Sequence, residues 1–229
     1  MLIAGFPAGS FATNCYVVAP AAGEECVIID PGQDATAGVD EILREHRLKP
    51  VAVILTHGHL DHVWSVAPVC GARGVPAWIH PDDRDLLSDP AKGFGVTSAQ
   101  LFGGLELSEP DDVRELADGA VMSLAGLELT VDHAPGHTPG SVAFRTPYDT
   151  ETQIMFSGDL LFEGSIGRTD LPGGSHAAIL ESLARVCLPL PDQTVVLPGH
   201  GNQTTIGRER VTNPYLQDLA PAEGPRKGF

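Results

Sequence analysis

The sequence predicts an α+β fold in which two β-sheets pack face to face and helices cover their outer faces. Two observations favour it. In both halves of the chain, strand-like apolar segments are followed by helix-like segments, and such elements bury their apolar faces by packing in layers. Candidate metal-ligating side chains are divided between the halves, so neither half could hold their site alone. We therefore expect residues 1–229 to form a single domain.

The first half predicts an antiparallel meander, a helix, a buried strand and two further helices around a short strand. Short apolar segments between Gly, Pro and Ala turns indicate the meander, and the spacing of Val39, Ile42 and Leu43 indicates the first helix. An acidic first turn after Pro81 indicates the last helix. The predicted strands are 2–6, 14–19, 25–30, 51–55 and 77–79, and the predicted helices are 35–46, about 62–70 and the one from Pro81.

The second half repeats this plan. Residues 89–112 between the halves carry scattered glycines and prolines with little periodicity, which predicts a long ordered loop over the mouth of a site. Residues 221–229 are expected to form a loose tail. The predicted strands are 120–124, 127–133, 141–146, 154–158 and 194–198, and the predicted helices are 175–187 and a short amphipathic one within 204–216.

Four potential metal ligands follow the predicted strand at 51–55 within six residues. His57 and His59 are two residues apart, so in extended backbone their side chains leave the chain on the same side. Asp61 and His62 stand at the start of a predicted helix, whose first turn can direct side chains back towards the strand end. One short segment could therefore serve two neighbouring metal ions.

Three further candidate ligands, His137, Asp159 and His200, follow apolar runs later in the chain. Each comes directly after a glycine, which would let the backbone pass close to a metal without a Cβ in the way. An isolated His or Asp in such a turn is ordinarily only a turn residue. Because these three accompany the cluster at 57–62, we interpret them as further ligands of the same site.

The order His57-x-His59-x-Asp61-His62, followed by His137, Asp159 and His200, resembles the metal-binding pattern of the metallo-β-lactamase superfamily. This resemblance implies an αββα four-layer sandwich, with the metal site at the edge between the two sheets. It also implies that Asp159 bridges two divalent metal ions. The first ion would take His57, His59 and His137, and the second would take Asp61, His62 and His200.

Imidazole and carboxylate ligands without thiolates suit zinc, and also iron or manganese. Two divalent ions about 3.5–4 Å apart can hold a shared water and lower its pKa from about 15.7 towards neutrality. The expected nucleophile is therefore a metal-bridging hydroxide, and Asp61 is expected to act catalytically by orienting it. The sequence contains no GxSxG motif that would offer a serine nucleophile instead.

Composition excludes several partners. The chain has 14 Lys and Arg against 30 Asp and Glu, a net charge of −16 that should repel nucleic acid and anionic membranes. The four cysteines show no CxxC spacing and predict separate reduced, mostly buried thiols. With no signal peptide and no apolar stretch near the roughly 18 residues that span a membrane, we expect a cytoplasmic location.

Two features indicate the branch of the superfamily. His59 stands where di-iron redox members carry a Glu, which favours hydrolysis. The stretch around Arg168 and Asp170 resembles the GR[ST]D stretch of glyoxalase II-like thioesterases and of persulfide dioxygenases. The chain ends about thirty residues after His200, too few for the glutathione-binding C-terminal domain of longer glyoxalase II enzymes, and so resembles the short bacterial type.

The resemblance thus implies a metal-dependent hydrolase of the hydroxyacylglutathione hydrolase (glyoxalase II) type. Its expected small-molecule substrate is a 2-hydroxyacyl thioester such as S-lactoyl-glutathione, with glutathione or another small thiol as the carrier. One alternative is a persulfide dioxygenase with a single iron on His57, His137 and Asp159. A lactonase or other ester hydrolase is a second, and an inactive scaffold, which would not need the full ligand set, is a third.

Three arginines are candidate substrate-binding residues. Arg168 and Asp170 are most simply an ion pair that holds their loop, and a direct substrate contact by Arg168 is the alternative. Arg208 and Arg210 lie on the predicted helix within 204–216. They are either solvated helix charges or ligands for a substrate carboxylate.

Overall fold

The computed structural model describes residues 1–95 and 107–219. The strands in chain order are β1 (Leu2–Ala8), β2 (Thr13–Ala19), β3 (Glu25–Ile29), β4 (Lys49–Ile54), β5 (Ala77–Ile79), β6 (Val113–Glu115), β7 (Val121–Leu124), β8 (Leu127–His133), β9 (Val142–Pro147), β10 (Gln153–Gly158), β11 (Leu161–Phe162), β12 (Ser165–Ile166), β13 (Val195–Pro198) and β14 (Thr204–Thr205). The α-helices are α1 (Thr36–His46), α2 (Leu60–Val63), α3 (Val66–Arg73), α4 (His176–Ser182), α5 (Ile206–Thr212) and α6 (Pro214–Leu219).

The strands form two mixed six-stranded sheets. In the first sheet, strands β1 to β6 lie in chain order, antiparallel up to β3 and parallel from there. In the second sheet the order is β14-β13-β10-β9-β8-β7, with β10 and β13 parallel and the other pairs antiparallel. A small hairpin of β11 and β12 follows β10.

Three buried apolar clusters separate four layers. Val18, Val27 and Ile54 of the first sheet pack with Val131 and Phe144 of the second, which forms the core between the sheets. Alternate residues of the first sheet instead face α1 and α3, and alternate residues of the second face α4, α5 and α6. Because successive strand side chains point to opposite faces, strands buried on both sides read as continuous apolar runs. The αββα sandwich is therefore confirmed.

The two sheets are joined at one edge by hydrogen bonds from the backbone and from Tyr16. The N–H of Val142 donates to the carbonyl of Thr56, which directly follows the strand before the histidine cluster, at 2.8 Å. The N–H of Asn14 donates to the carbonyl of Gly199 at 2.7 Å, and the Tyr16 hydroxyl donates to the carbonyl of Pro198 at 2.8 Å. These bonds fix the exits of β4 and β13 relative to each other.

Prolines explain two departures from the predicted helices. The helix predicted at 62–70 is divided into α2 and α3, because Pro68 has no N–H to donate and its ring would clash with the carbonyl of residue 64. Placed in the first turn of α3, Pro68 is tolerated. The helix predicted within 204–216 is likewise divided, with Asn213 before Pro214 in an extended conformation.

Other boundaries also differ from the predictions. The segment from Pro81 to Leu87 is a 3₁₀-helix, and a second 3₁₀-helix covers Pro90–Phe94 within the predicted loop at 89–112. The middle of that loop, and the predicted loose tail, lie outside the described residues. Strands β6, β11, β12 and β14 are too short to leave a periodic pattern in the sequence.

All four cysteines are buried and free of disulfides, as the sequence predicts. Burial raises the pKa of Cys70 to about 12 and that of Cys187 to about 12, so these thiols are protonated and unreactive at neutral pH. Among the described residues, no helix has the length and apolar character needed to cross a membrane.

Candidate metal centre

The seven predicted ligands meet at one edge of the sandwich. His57 follows β4, Asp159 follows β10 and His200 follows β13, while His59, Asp61 and His62 lie at the start of α2. His137 lies in the loop between β8 and β9. Because β10 and β13 are parallel neighbours, their carboxyl ends lie at the same edge and bring Asp159 and His200 together.

Three of the histidines form one group. His59 Nδ1 lies 2.8 Å from His137 Nε2. The ring of His57 lies 4.7 Å from that of His137 and 5.0 Å from that of His59, measured between centroids. All three rings are buried, so their nitrogens converge on a space that bulk water does not fill.

A second group consists of Asp61, His62 and His200. His200 Nε2 lies 3.0 Å from Asp61 Oδ2 and 3.4 Å from His62 Nε2, and His62 Nε2 lies 3.5 Å from Asp61 Oδ2. The hydroxyl of Thr13 donates to the same Asp61 oxygen at 2.9 Å, which fixes the carboxylate.

Asp159 lies between the two groups and presents one oxygen to each. Its Oδ2 lies 3.4 Å from His137 Nε2, and its Oδ1 lies 3.4 Å from His62 Nε2. A carboxylate in this position can bind two cations at once, one through each oxygen.

Hydrogen bonds outside the cluster determine which ring nitrogens face inwards. His137 Nδ1 lies 2.8 Å from the carbonyl oxygen of Arg168, and His62 Nδ1 lies 3.0 Å from Asp30 Oδ2. Since a carbonyl and a carboxylate only accept, both Nδ1 atoms carry the hydrogen, and Nε2 is the ring nitrogen that faces the site in both residues. Metal-binding histidines are commonly braced in this way.

Some polar atoms of the site are buried without a protein partner. His57 Nε2 and Asp159 Oδ1 have no hydrogen-bond partner of ordinary geometry among the described residues. Buried polar atoms are almost always paired in native proteins, and leaving one unpaired costs free energy. The donor set and these unpaired atoms fit divalent metal ions.

The electrostatics of the site also suit cations. Burial lowers the pKa of His57, and burial together with His137 lowers the pKa of His59 to about 3, so both rings are neutral at neutral pH. Burial alone would raise the pKa of Asp61 and Asp159, but the surrounding histidines, His62 foremost, and their hydrogen bonds together lower both. The same two carboxylates raise the pKa of His62. Neutral imidazoles and ionised carboxylates are the forms that bind metals.

Gly199 shows why a residue without a side chain precedes His200. A Cβ at this position would lie 2.3 Å from Asp159 Oδ1 and 2.7 Å from His62 Cε1. Only glycine therefore allows the exit of β13 to approach the site this closely.

Two buried aspartates hold the ligand segments in place. Asp30 accepts from the N–H of Thr56 at 2.8 Å as well as from His62. Asp83 accepts from the N–H of Gly58 at 2.8 Å, and from the Thr138 hydroxyl at 2.6 Å and the Gly140 N–H at 2.7 Å.

Neither Asp30 nor Asp83 is among the site residues predicted from the sequence. Asp30 follows a buried strand and has a left-handed φ of 48°, and Asp83 is fully buried although it lies in an acidic first turn. A strand-exit Asp beside a Pro-Gly turn was the available signal for Asp30. Nothing in the sequence distinguishes Asp83 from its exposed neighbour Asp82.

A cavity of about 430 Å³ opens over the cluster. Asp61, Asp159 and His200 contribute its polar floor, and Arg168 is the cation among the residues found to line it. The wall is largely apolar, and Phe94 at the end of the second 3₁₀-helix contributes to it. The apolar lining consists of Phe11, Phe94, Phe162, Ile166 and Leu171.

The structure separates the three candidate arginines. Arg168 lines the cavity and forms an ion pair with Asp170, with nitrogen–oxygen distances of 2.7 and 2.8 Å. Arg208 pairs with Glu163 at 2.7 Å, and Arg210 pairs with Asp192 at 2.8 Å. Neither Arg208 nor Arg210 is among the residues that line the cavity, so the structure does not bring them to the site.

Comparison with known proteins finds relatives that align over nearly the whole chain. An uncharacterized protein of Mycobacterium tuberculosis is 52% identical over 96% of this chain and 100% of its own length. The hydroxyacylglutathione hydrolase GloC of Haemophilus influenzae is 35% identical over 92% of this chain and 95% of its own.

Solved structures share the architecture. The B3 metallo-beta-lactamase BLEG-1 superposes with a TM-score of 0.82 at 39% identity, covering 94% of this chain and 99% of that one. The protein TTHA1623, in a di-iron-bound form, superposes with a TM-score of 0.72 at 42% identity, covering 91% of this chain and 97% of that one.

Residues 8–200 match the family profile of the metallo-beta-lactamase superfamily, a range that contains all seven clustered residues. The fold together with the His and Asp cluster implies divalent metal ions and hydrolase activity. The chain belongs to the metallo-beta-lactamase superfamily.

Proposed function

We propose that this protein is a thioester hydrolase of the glyoxalase II type with two metal ions, most simply zinc. The observation that carries the proposal is the position of Asp159, which presents one oxygen to each of two ligand groups. The relative GloC, whose name is hydroxyacylglutathione hydrolase, supports the choice of a 2-hydroxyacyl thioester such as S-lactoyl-glutathione as substrate. Fe and Mn are the alternative metals, and the di-iron form of TTHA1623 supports testing iron first among them.

In this proposal His57, His59 and His137 would hold the first ion and Asp61, His62 and His200 the second, and Asp159 would serve both. Two such ions supply an activated water and polarise the acyl carbonyl of the substrate. The ligands come from both sheets, so the proposal also requires residues 1–229 to act as one domain.

The chain itself orients the reactants. Asp61, fixed by the hydroxyl of Thr13, directs the attacking water towards the acyl carbon. The apolar wall of the cavity, including Phe94 and Phe162, packs against the acyl and thiol portions and excludes other water. Four buried free thiols suit the reducing cytoplasm, which we propose as its location.

A persulfide dioxygenase remains the second candidate, because the same cluster could hold one iron on His57, His137 and Asp159. Such an enzyme would keep all seven residues, so metal content and oxygen uptake with a persulfide distinguish it from the thioester hydrolase. Hydrolysis of a β-lactam is also tested, because BLEG-1 is named a B3 metallo-beta-lactamase.

The experiment is metal analysis of protein purified without added metal, together with turnover of a substrate panel. The panel contains S-lactoyl-glutathione, S-lactoyl esters of other small thiols, a lactone and a β-lactam, with oxygen uptake measured on a persulfide. We expect about two metal ions per chain and fastest turnover of a 2-hydroxyacyl thioester. One iron per chain with persulfide-dependent oxygen uptake, or fastest turnover of the lactone or β-lactam, would contradict the proposal.

A further inference from the structure

Outside the central cluster, a second set of metal-binding side chains lies where the two sheets approach each other. His80 directly follows β5 of the first sheet, and His133 ends β8 of the second. Their rings are stacked, with centroids 4.1 Å apart and planes inclined by 3°. Asp82 stands beside them, and each of the three residues offers one ligand atom within 4.8 Å of the others.

The hydrogen bonds of the two rings indicate that Nδ1 is unprotonated in both. His133 Nε2 lies 2.8 Å from the carbonyl oxygen of Pro139, which only accepts, so Nε2 carries the hydrogen and Nδ1 has the lone pair. His80 Nδ1 receives a long bond of 3.3 Å from the N–H of Asp82, so it is also unprotonated. The same nitrogen lies 3.7 Å from Asp82 Oδ2.

We propose that His80, Asp82 and His133 form a separate binding site for a divalent transition-metal ion. The His133–Pro139 contact is the kind of backbone brace that orients metal-binding histidines. Two imidazoles and one carboxylate suit Zn²⁺, Ni²⁺ or Cu²⁺, with water completing the coordination.

The site requires only a small rearrangement. Ligand atoms about 2.0–2.2 Å from a tetrahedral ion are roughly 3.4 Å from one another. The stacked rings can reach that arrangement by rotating about their terminal torsions, which have broad minima for histidine. The ion would also replace the long bond from the Asp82 N–H.

Beside the proposed site lie the carboxylate of Asp118 and the guanidinium of Arg185. Asp118 accepts from the backbone N–H of His133 at 2.8 Å, and its other oxygen lies 3.6 Å from the guanidinium of Arg185. Asp118 thereby fixes the end of β8, while Arg185 is engaged by that carboxylate and by the carbonyl of His133. A bound ion would connect the exit of β5 to the exit of β8.

The test is calorimetric titration of Zn²⁺ into the full chain after its central site has been loaded with zinc and excess metal removed. We expect one additional equivalent per chain. His80→Gln and His133→Gln should each weaken it by about 100-fold or more, and Asp82→Asn by a smaller factor. Each variant should retain the central metal content, which shows that it has folded.

His176→Gln is the matched control, because His176 is an exposed histidine at the start of α4. It should keep the additional equivalent. Binding of Zn²⁺ should also raise the Tm of the parent and of this control, but not of His80→Gln, because a ligand that binds only the folded state stabilises it. If the parent takes up no additional zinc, or if both histidine variants still bind it as the parent does, the rings are only a stacked pair.

Discussion

The central cluster and the set of His80, Asp82 and His133 use the same residue types but differ in burial and bracing. His57 and His62 are nearly or fully buried, and His62 is held from behind by Asp30. In the outer set, the side chain of Asp82 is 57% exposed. A buried, braced ligand has already lost its rotamer freedom on folding, whereas an exposed one loses it on binding the ion.

This difference in burial and bracing predicts which of the two sites retains its metal ion. The central cluster buries the neutral rings of His57 and His59 beside ionised carboxylates, so its unpaired atoms favour a bound cation strongly. The outer set is satisfied by stacking and backbone contacts when no ion is present. We therefore expect a tightly held centre and an exchangeable outer ion.

The largest effect should come from removing a central ligand. Asp159→Ala or His59→Ala should lower thioester hydrolysis by about a thousandfold or more, because loss of metal removes several kcal/mol of transition-state stabilisation. Metal content should fall while circular dichroism stays close to that of the parent. His176→Ala is the control, and hydrolysis at the parent rate by either central variant would refute the assignment of the site.

A smaller loss should follow when only the bracing is changed. Asp30→Asn presents an amide N–H₂ where His62 Nδ1 or Thr56 now donates to a carboxylate oxygen. We expect metal affinity or activity to fall by about 10- to 100-fold, as changes behind metal-binding histidines typically cause. Chelator competition measures the affinity, with the exposed Asp34→Asn as control. Unchanged affinity would show that the brace of His62 contributes nothing.

The adjacent residues Asp82 and Asp83 test whether burial determines how much a carboxylate contributes to stability. Asp83 is fully buried and binds three donors on the segments of His57 and His137, whereas Asp82 faces outwards. Asp83→Asn should lower the free energy of unfolding by about 1–3 kcal/mol, because one buried donor loses its acceptor. Asp82→Asn should change it by less than about 0.5 kcal/mol. Denaturant titration without added zinc measures the free energy of unfolding of both variants. Equal losses would show that the buried and the exposed aspartate contribute alike to stability.

The smallest effect is expected at Arg168. Its ion pair with Asp170 is exposed and contributes little to stability, so Arg168→Ala should leave Tm nearly unchanged. If the pair only holds the loop, kcat/KM should fall by less than about fivefold for every substrate. A rise in KM restricted to thioesters with a carboxylate would instead assign Arg168 a direct contact with substrate. The Asp170→Ala variant distinguishes the two, since it frees the arginine while breaking the pair.

The strands and the candidate ligands were predicted better than the helices and the contacts between segments. Runs such as Val51–Leu55 are apolar because the strand is buried on both faces, and that pattern survives in the sequence. The division of the helix at 62–70 depends on Pro68, which the predicted helix did not take into account. Arg208 and Arg210 were candidate substrate-binding residues on a predicted helix. In the structure each forms an ion pair instead, Arg208 with Glu163 and Arg210 with Asp192.

The order and type of the seven candidate ligands, and their resemblance to one superfamily's pattern, could be read from the amino-acid sequence alone. This is possible because ligand chemistry and strand burial are local properties of the chain. The structure was needed to show that Asp159 lies between two groups, that Asp83 binds both ligand segments, and that His80 stacks on His133. Those contacts join residues between 22 and 97 positions apart along the chain, and their distances depend on how two sheets meet, which no local pattern records.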